Sequence, residues 1–300
     1  MEYWTTFTRN MVIEERLKKE EPLCKHSTFA IGGPASYFLE VHSKEELKES
    51  LLFAKKNKLA PFFLGKGSNL IFDDRGWKGI VIQNRIDFCR FDQNTVDVGS
   101  GYSFSLLGTQ AARKGLTGLE FASGIPASVG GAIYMNAGAN GKETCESLTS
   151  VTYISEEGKE EVYSKDELEF RYRFSSFQQM KGAIASAVFS LQEDPSARKS
   201  QVDIINRRIA TQPLKEKSAG CIFRNPSSQI KSGALIEQCG LKGKKIGGAK
   251  VSEIHANFIV NESGASCRDV QQLVSLICEE VKKKTGIELE MEVRYIPYNG

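Results

Sequence analysis

Apolar positions recur along the chain with two distinct periods, which together predict a mixture of strands and helices. Continuous or alternating apolar runs are typical of buried or half-buried strands, and they occur at 35–41, 61–64, 148–155, 161–164, 183–191, 255–260 and 287–295. Apolar residues three or four positions apart are typical of a helix with one buried face, and they occur at 44–59, 103–114, 196–209, 233–239 and 267–284. The intermixed elements indicate an α+β fold.

Three regions have a less regular pattern. Between Gly79 and Asp97, short apolar runs separated by polar turns predict antiparallel strands. The first 22 residues are rich in charge and predict a short amphipathic helix or a loose arm. Ser43 precedes the helix expected at 44–59 and is its expected N-cap.

Composition and charge narrow the function classes. The 300 residues carry a net charge of +3, so general binding of nucleic acid is not expected. No apolar run approaches the roughly 20 residues of a membrane span, so no membrane insertion is expected. The seven cysteines and three histidines are scattered without ligand-like spacing. This pattern argues against a disulfide framework and against a metal site, and it favours a reducing cytoplasm.

A glycine-rich, almost uncharged stretch from Leu116 to Gly141 is the most unusual segment of the sequence. Glycine is used where the backbone needs a positive φ or where a ligand must approach the main chain closely. The stretch therefore predicts the wall of a cofactor pocket. A set of tight turns at the end of a sheet is the alternative.

A second glycine loop follows the strand expected at 61–64. Its residues are Gly65, Lys66, Gly67, Ser68 and Asn69. The two glycines let successive backbone N–H groups turn toward an anion, and the serine and asparagine side chains add donors. The loop matches neither a Walker loop nor the GxGxxG loop of a Rossmann fold. A simple hairpin turn is the alternative interpretation.

Six segments in a fixed order carry a resemblance to a known family. They are LGKGSNLIFDD at 64–74, GLTGLEFASGIPASVGGAIYMNAGANGKE at 115–143, FRYRFSSF at 170–177, SAGCIFRNP at 218–226, GLKGKKIGGAKVSEIHANFIVN at 240–261 and LEMEVRYIP at 289–297. Together they resemble the UDP-N-acetylenolpyruvoylglucosamine reductases, over about residues 26–297.

The resemblance implies a flavoenzyme of peptidoglycan precursor synthesis that reduces UDP-N-acetylglucosamine enolpyruvate, a small-molecule substrate, to UDP-N-acetylmuramate. It implies non-covalent FAD, NADPH as reductant, and a monomeric protein in the cytoplasm. The FAD is expected in a two-part domain that resembles the vanillyl-alcohol-oxidase (PCMH-type) class, with a smaller C-terminal α+β domain over the substrate. The expected units are 1–70, completed by 287–300, for the first FAD subdomain, 71–213 for the second, and 214–286 for the substrate domain.

The resemblance also assigns three residues to the chemistry. Hydride addition to an enol ether conjugated to a carboxylate pushes charge onto that carboxylate, and a proton must then reach the adjacent carbon. Arg173 matches the family's arginine, and its planar, always charged guanidinium can bind the substrate carboxylate. Glu292 matches its glutamate and is expected to be protonated or linked through a water, with a raised pKa, unless it forms an ordinary ion pair with Arg173. Cys221 stands where the commoner family pattern has a proton-donating serine, and a small buried hydrophobic role is its alternative.

The remaining matched positions imply ligand contacts. The FAD pyrophosphate is expected on Gly65, Lys66, Gly67, Ser68, Asn69 and Leu70, and the rest of the cofactor on Gly124, Ile125, Pro126, Gly130, Gly131, Ala132 and Asn136. The substrate is expected on Tyr134, Tyr172, Asn225, Gln229 and Lys242.

The sequence departs from the family pattern in two places and leaves two rival hypotheses open. The stretch between Phe177 and Pro213 is too short for the extra substrate-clasping loop of part of the family, and Asn140 replaces a frequent tyrosine. Another FAD-dependent oxidoreductase acting on an alcohol or sugar would share the glycine loops. A non-enzymatic nucleotide-binding protein would retain those loops but would not need Arg173, Cys221 and Glu292.

Overall fold

The computed structural model describes residues 13–300. The part of the N-terminal arm that precedes residue 13 lies outside the described residues. The seven α-helices of the described residues are α1 (Ile13–Arg16), α2 (Lys44–Lys56), α3 (Phe104–Arg113), α4 (Val129–Tyr134), α5 (Ala197–Thr211), α6 (Ser232–Gln238) and α7 (Cys267–Thr285). Short 3₁₀ turns occupy Leu23–His26, Glu120–Gly124, Thr144–Glu146, Lys165–Glu167 and Ser176–Gln178.

The strands of the described residues form several small sheets. In chain order they are β1 (Lys18–Pro22), β2 (Pro34–Val41), β3 (Pro61–Leu64), β4 (Leu70–Phe72), β5 (Trp77–Asn84), β6 (Cys89–Asp92), β7 (Thr95–Gly99), β8 (Leu116–Thr117), β9 (Gly138–Ala139), β10 (Lys142–Glu143), β11 (Leu148–Ser155), β12 (Glu160–Ser164), β13 (Phe170–Arg171), β14 (Phe174–Ser175), β15 (Gly182–Ser190), β16 (Gln192–Glu193), β17 (Ser218–Cys221), β18 (Lys245–Ile246), β19 (Ala249–Val251), β20 (Phe258–Asn261) and β21 (Arg294–Ile296).

The first sheet has the order β1-β2-β5-β3 and is mostly parallel. Helix α2 begins at Ser43, whose side chain accepts a hydrogen bond from the Glu46 amide as expected of an N-cap. The α2 side chains Leu47 and Leu51 pack against Ile80 and Ile82 of β5. The antiparallel pairing expected for β5 is wrong, because β5 lies between two parallel partners and is buried on both faces.

The expected boundary between the FAD subdomains at residue 70 stays a prediction. Because β5 pairs with β2 and β3, the first sheet itself extends to Asn84. The chain returns to this unit at its C-terminal end, where β21 pairs in parallel with β4.

The second sheet is antiparallel, with the order β12-β11-β15-β7-β6. Helix α3 begins at Ser103 and buries Phe104, Leu107 and Ala111 against this sheet and the glycine-rich stretch. After the 3₁₀ segment Ser176–Gln178, the chain up to residue 213 forms only β15, β16 and α5. The turn between β9 and β10 contains Asn140, whose φ of 56° is one that asparagine tolerates better than most side chains.

The third sheet, β17-β20-β19-β18, packs with α6 and α7 as the C-terminal unit. The strand expected at 287–295 is shorter than predicted. Only Arg294–Ile296 is a strand, and Met291 forms an isolated bridge with Phe223. The core of this unit includes Phe29 and Ile71 from the N-terminal part, so the two parts share buried surface.

Candidate active site

A cavity of about 1120 Å³ lies where the three sheet units meet. It is lined by the loop between β3 and β4, the glycine-rich stretch, the β13–β14 hairpin and the segments around residues 208–225 and 254–258. The predicted site residues that line it are Gly65, Lys66, Gly67, Ser68, Asn69, Leu70, Ile125, Pro126, Gly130, Gly131, Tyr134, Tyr172, Arg173, Cys221, Asn225 and Glu292. Sequence-distant motifs therefore converge on one site.

Five predicted ligand residues do not line this cavity. Ala132 is fully buried in the core beneath it, and Gly124 lies under the side chain of Arg208. Gln229 is exposed on the surface. Lys242 forms a 2.6 Å ion pair with Glu237. Direct contact of these four residues with a ligand stays a prediction.

Asn136 is the fifth of these residues, and it has a different structural role. Its side chain is fully buried and its Nδ2 donates to Glu143 Oε2 at 2.8 Å and to the Arg171 carbonyl at 3.1 Å. Its Oδ1 accepts from the Cys145 amide at 3.1 Å. With the amide satisfied inside the protein, Asn136 ties the β13–β14 hairpin to the glycine-rich stretch.

The loop between β3 and β4 lines the cavity with its glycine backbone and with the Lys66 side chain. A side chain on Gly65 would collide with Ser128, and one on Gly67, where φ is 63°, would collide with the His26 carbonyl oxygen. Lys66 Nζ donates to Ser103 Oγ at 2.7 Å. Burial, helped by the nearby Arg85, lowers the pKa of Lys66. A partly desolvated ammonium beside the backbone amides of a glycine loop suits a phosphate.

Arg173 and Glu292 meet across the cavity although 119 residues separate them. Arg173 Nε donates to Glu292 Oε1 at 2.6 Å, and Nη2 donates to the Gly138 carbonyl at 3.2 Å. Burial alone would lower the pKa of Arg173, but the charge and hydrogen bond of Glu292 outweigh it and raise that pKa. This contact is the ion pair that the sequence analysis left open as an alternative, and it is direct, without a bridging water.

Cys221 faces the same cavity because of an irregularity in β17. Ser218 pairs with Val260 and Cys221 with Phe258, so one extra residue bulges on β17, and Gly220 in the bulge has a φ of 82°. A bulge re-aims the side chain beside it. Burial raises the pKa of the Cys221 thiol to about 12. The thiol is therefore a neutral proton carrier at physiological pH.

Four polar residues of the cavity wall were not predicted from the sequence. Each has a buried side-chain atom without a hydrogen-bond partner among the described residues: Ser100 Oγ, Tyr153 Oη, Arg208 Nε and Gln212 Oε1. No local motif marks them, and the contact of the Arg208 side chain with Gly124 is a feature of the tertiary structure alone. Unpaired polar atoms of residues on a cavity wall indicate that a polar ligand supplies their missing hydrogen bonds.

These features test the fit of FAD. The site offers a glycine loop with a half-buried lysine for a pyrophosphate, a glycine-rich wall with few bulky side chains for a flat ring, and lining residues with unpaired polar atoms. The residues present therefore fit an elongated dinucleotide, and the fold and site define an FAD-binding flavoprotein with an added C-terminal substrate domain.

Comparison with known proteins agrees with this class. Residues 35–163 match the model of an FAD binding domain, and residues 212–296 match the model of the C-terminal domain of UDP-N-acetylenolpyruvoylglucosamine reductase. The UDP-N-acetylenolpyruvoylglucosamine reductase of Protochlamydia amoebophila is 56% identical over 91% of this chain and 91% of its own length. That of Chlamydia felis is 45% identical, over 92% and 93%. The crystal structure of the Thermus caldophilus enzyme superposes with a TM-score of 0.80 at 36% identity, over 94% of this chain and 99% of that one.

The chain belongs to the UDP-N-acetylenolpyruvoylglucosamine reductase family. The resemblance stated from the sequence, the α+β fold with an FAD-binding domain and a smaller C-terminal domain, and FAD as cofactor are confirmed. No helix among residues 13–300 is long and apolar enough to span a bilayer. Within the same residues no group of three or more His, Cys, Asp or Glu side chains could hold a metal ion.

Proposed function

We propose that the chain reduces UDP-N-acetylglucosamine enolpyruvate to UDP-N-acetylmuramate, with NADPH as the source of reducing equivalents. One observation carries the proposal. Arg173, Cys221 and Glu292, which lie on three separate segments of the chain, line one cavity together with the glycine loop at 65–70. Neither an alcohol or sugar oxidase nor a non-enzymatic nucleotide-binding protein would require this combination.

Two glycine-rich segments are proposed to hold the cofactor. The backbone amides of residues 65–70 and the Lys66 ammonium would bind the FAD pyrophosphate, and Ile125, Pro126, Gly130 and Gly131 would border its ring system. When bound, FAD supplies the hydride that the enolpyruvyl group requires. Ser100 and Tyr153 have buried hydroxyls without partners in the described residues and are further candidates for its polar groups.

Arg173 is proposed to bind the carboxylate of the enolpyruvyl group. Glu292 and Gly138 occupy its Nε and Nη2 atoms, and among the described residues Nη1 has no hydrogen-bond acceptor. A buried guanidinium is always charged, and it stabilises the negative charge that builds on the carboxylate as hydride adds. Glu292 holds the guanidinium in place from the opposite side.

Cys221 is proposed to donate the proton to the carbon next to the carboxylate. Its pKa of about 12 keeps the thiol protonated before the reaction. The same burial makes the resulting thiolate a strong base that quickly regains a proton. Arg208 and Arg173 attract the thiolate and so oppose the rise in its pKa. A thiol at this position can therefore serve the function of a serine hydroxyl.

The substrate is proposed to lie between the hairpin and the C-terminal unit. Tyr134, Tyr172 and Asn225 line this part of the cavity. Asn225 Oδ1 accepts from the Ser232 amide at 3.1 Å at the start of α6, so its Nδ2 is the group left for a ligand. We also propose that the enzyme acts in the cytoplasm as a monomer, without nucleic acid or membrane partners.

An anaerobic experiment tests the function. The protein is purified with its flavin, the flavin is reduced with one equivalent of NADPH, and UDP-N-acetylglucosamine enolpyruvate is then added. We expect flavin absorbance to return in one rapid phase with formation of UDP-N-acetylmuramate. UDP-N-acetylglucosamine, which lacks the enolpyruvyl group, is the control. A flavin that stays reduced with the enolpyruvate, or that is reoxidised equally by the control, would overturn the proposal.

A further inference from the structure

Arg173 has a backbone conformation that a non-glycine residue adopts only when its surroundings hold it there. Its φ is 58°, in the left-handed region. For an L-residue this conformation brings Cβ close to the following carbonyl oxygen and is strained. Arg173 is the second residue of the two-residue turn between β13 and β14. Its side-chain direction therefore depends on whatever fixes that turn.

Gln178 contacts this turn from the 3₁₀ segment that follows β14. Its Nε2 donates to the Arg173 carbonyl oxygen at 3.1 Å and to the Tyr134 carbonyl oxygen at 2.9 Å. An amide nitrogen carries two protons, so both are used by these two acceptors. Ser175 Oγ donates to the same Tyr134 carbonyl at 2.8 Å. One side chain thus links the peptide of Arg173 to the C-terminal end of α4.

The linked end of α4 belongs to the cavity wall. Tyr134 and Gly138 both line the cavity, and Gly138 accepts a hydrogen bond from Arg173 Nη2. Gln178 therefore fixes the backbone of Arg173 relative to the same wall that its guanidinium contacts. Asn136 anchors the other side of the hairpin through the Arg171 carbonyl, but it does not reach the Arg173 peptide.

We propose that Gln178 is a positioning residue for the reaction, which holds Arg173 in its left-handed conformation so that the guanidinium faces the substrate carboxylate. The inference rests on the proposed role of Arg173. Without the amide donors the turn can relax to a conformation with negative φ, and the side chain then leaves the cavity. Gln178 itself touches no reacting atom.

The test uses Gln178→Glu, which keeps the size of the side chain but removes both donors and sets a carboxylate against two carbonyl oxygens. Gln178→Ala is the second variant. Gln179→Glu is the matched control, because Gln179 is the exposed next residue and carries the same change in charge. Each flavin-loaded protein is measured for thermal unfolding, for flavin reduction by NADPH, and for flavin reoxidation by the enolpyruvate substrate.

We expect both Gln178 variants to slow substrate-driven reoxidation by roughly 10–100-fold, since a misplacement of about 1 Å has this effect on a positioned group. Reduction by NADPH and the Gln179→Glu control should stay within about 2-fold of the native rate. Native reoxidation rates in both Gln178 variants would overturn the inference and leave the proposed function intact. So would an equal loss in the reduction step, which would indicate general disruption.

A double-mutant cycle separates positioning from an independent role. In an Arg173→Ala background there is no guanidinium to position, so Gln178→Glu should change reoxidation by less than about 2-fold. A loss as large as in the native background would show that Gln178 acts without Arg173 and would overturn the inference. If Arg173→Ala alone retained the native rate, the proposed role of Arg173 would fail instead.

Discussion

At the scale of single residues, Cys221 shows how the environment adapts an unusual side chain to its position. The bulge at Gly220 aims the sulfur at the cavity, and burial raises the pKa of the thiol to about 12. A group whose pKa lies well above the working pH stays a proton donor across the physiological range. Burial in the cavity wall therefore extends to alkaline pH the range in which Cys221 stays protonated.

The first residue-scale prediction concerns replacement of the thiol. Cys221→Ala should retain reduction of the flavin by NADPH but lower substrate reduction by roughly 10²–10⁴-fold, the range typical of a lost general acid. Cys221→Ser should keep substantial turnover, because a hydroxyl can also donate. Rapid-reaction measurement of the two half-reactions separates these outcomes. An alanine variant with native turnover would contradict the assignment.

The second residue-scale prediction concerns pH. Because the raised pKa favours the neutral thiol up to about pH 12, the substrate-reduction step should not lose its proton donor between pH 7 and about pH 9.5. The same raised pKa should make alkylation of Cys221 by iodoacetamide at pH 8 far slower than that of an unperturbed thiol. Mass-spectrometric peptide mapping over time measures this rate. Preferential, rapid labelling of Cys221 would contradict a raised pKa.

At the scale of elements, tandem aspartates after β4 connect the FAD part to the C-terminal unit. Asp74 Oδ1 accepts from the Cys267 amide at 2.7 Å, and Oδ2 accepts from the Arg268 amide at 3.2 Å, both at the start of α7. A carboxylate at a helix N-terminus satisfies otherwise unpaired N–H groups and interacts favourably with the helix dipole. Asp73 next to it accepts from the Tyr295 hydroxyl at 2.6 Å. The helix start and the strand β21 are thus anchored by neighbouring residues.

The element-scale prediction is that Asp74→Ala lowers the free energy of unfolding by about 1–2 kcal/mol, as the loss of a helix cap does. Urea unfolding followed by circular dichroism measures the change. Asp166→Ala, at an exposed surface position, is the control and should change stability by less than about 0.5 kcal/mol. Equal effects of the two substitutions would show that the contact between Asp74 and α7 contributes no stability.

At the scale of the whole molecule, the cavity lies among all three units, and several polar atoms of its wall lack partners in the described residues. A ligand that forms hydrogen bonds with these atoms binds only the folded state and therefore stabilises it. Binding of FAD is therefore coupled to the stability of the entire molecule.

The prediction at this scale is that removal of FAD lowers the thermal unfolding midpoint and that added FAD restores it in proportion to the logarithm of its concentration. At 100 times the dissociation constant the gain is about 2.7 kcal/mol. Differential scanning calorimetry of the apoprotein across an FAD series measures it, with riboflavin, which lacks the pyrophosphate, as a weaker ligand. A midpoint unaffected by saturating FAD would contradict the coupling.

Much of the local structure and the family could be predicted from the sequence. The helix at residues 44–56 with its cap Ser43, the long helix at 267–285 and the loop at 65–70 all depend on residues close together in the chain. Periodicity and capping act over a few positions, so they are visible without tertiary structure. The six ordered motifs also indicated the family and its FAD cofactor.

The tertiary structure alone decided which residues meet. The parallel placement of β5 and the ion pair between Arg173 and Glu292 depend on contacts between distant segments. The same holds for Asn136, which lies in the glycine-rich stretch but uses its amide inside the protein, and for Arg208, which lines the cavity and has a buried, unpaired Nε. Spacing along the chain carries no information on the direction of a side chain across the fold. The sequence therefore contained the residue types that the chemistry of the site requires, whereas folding determined which of those residues are in contact.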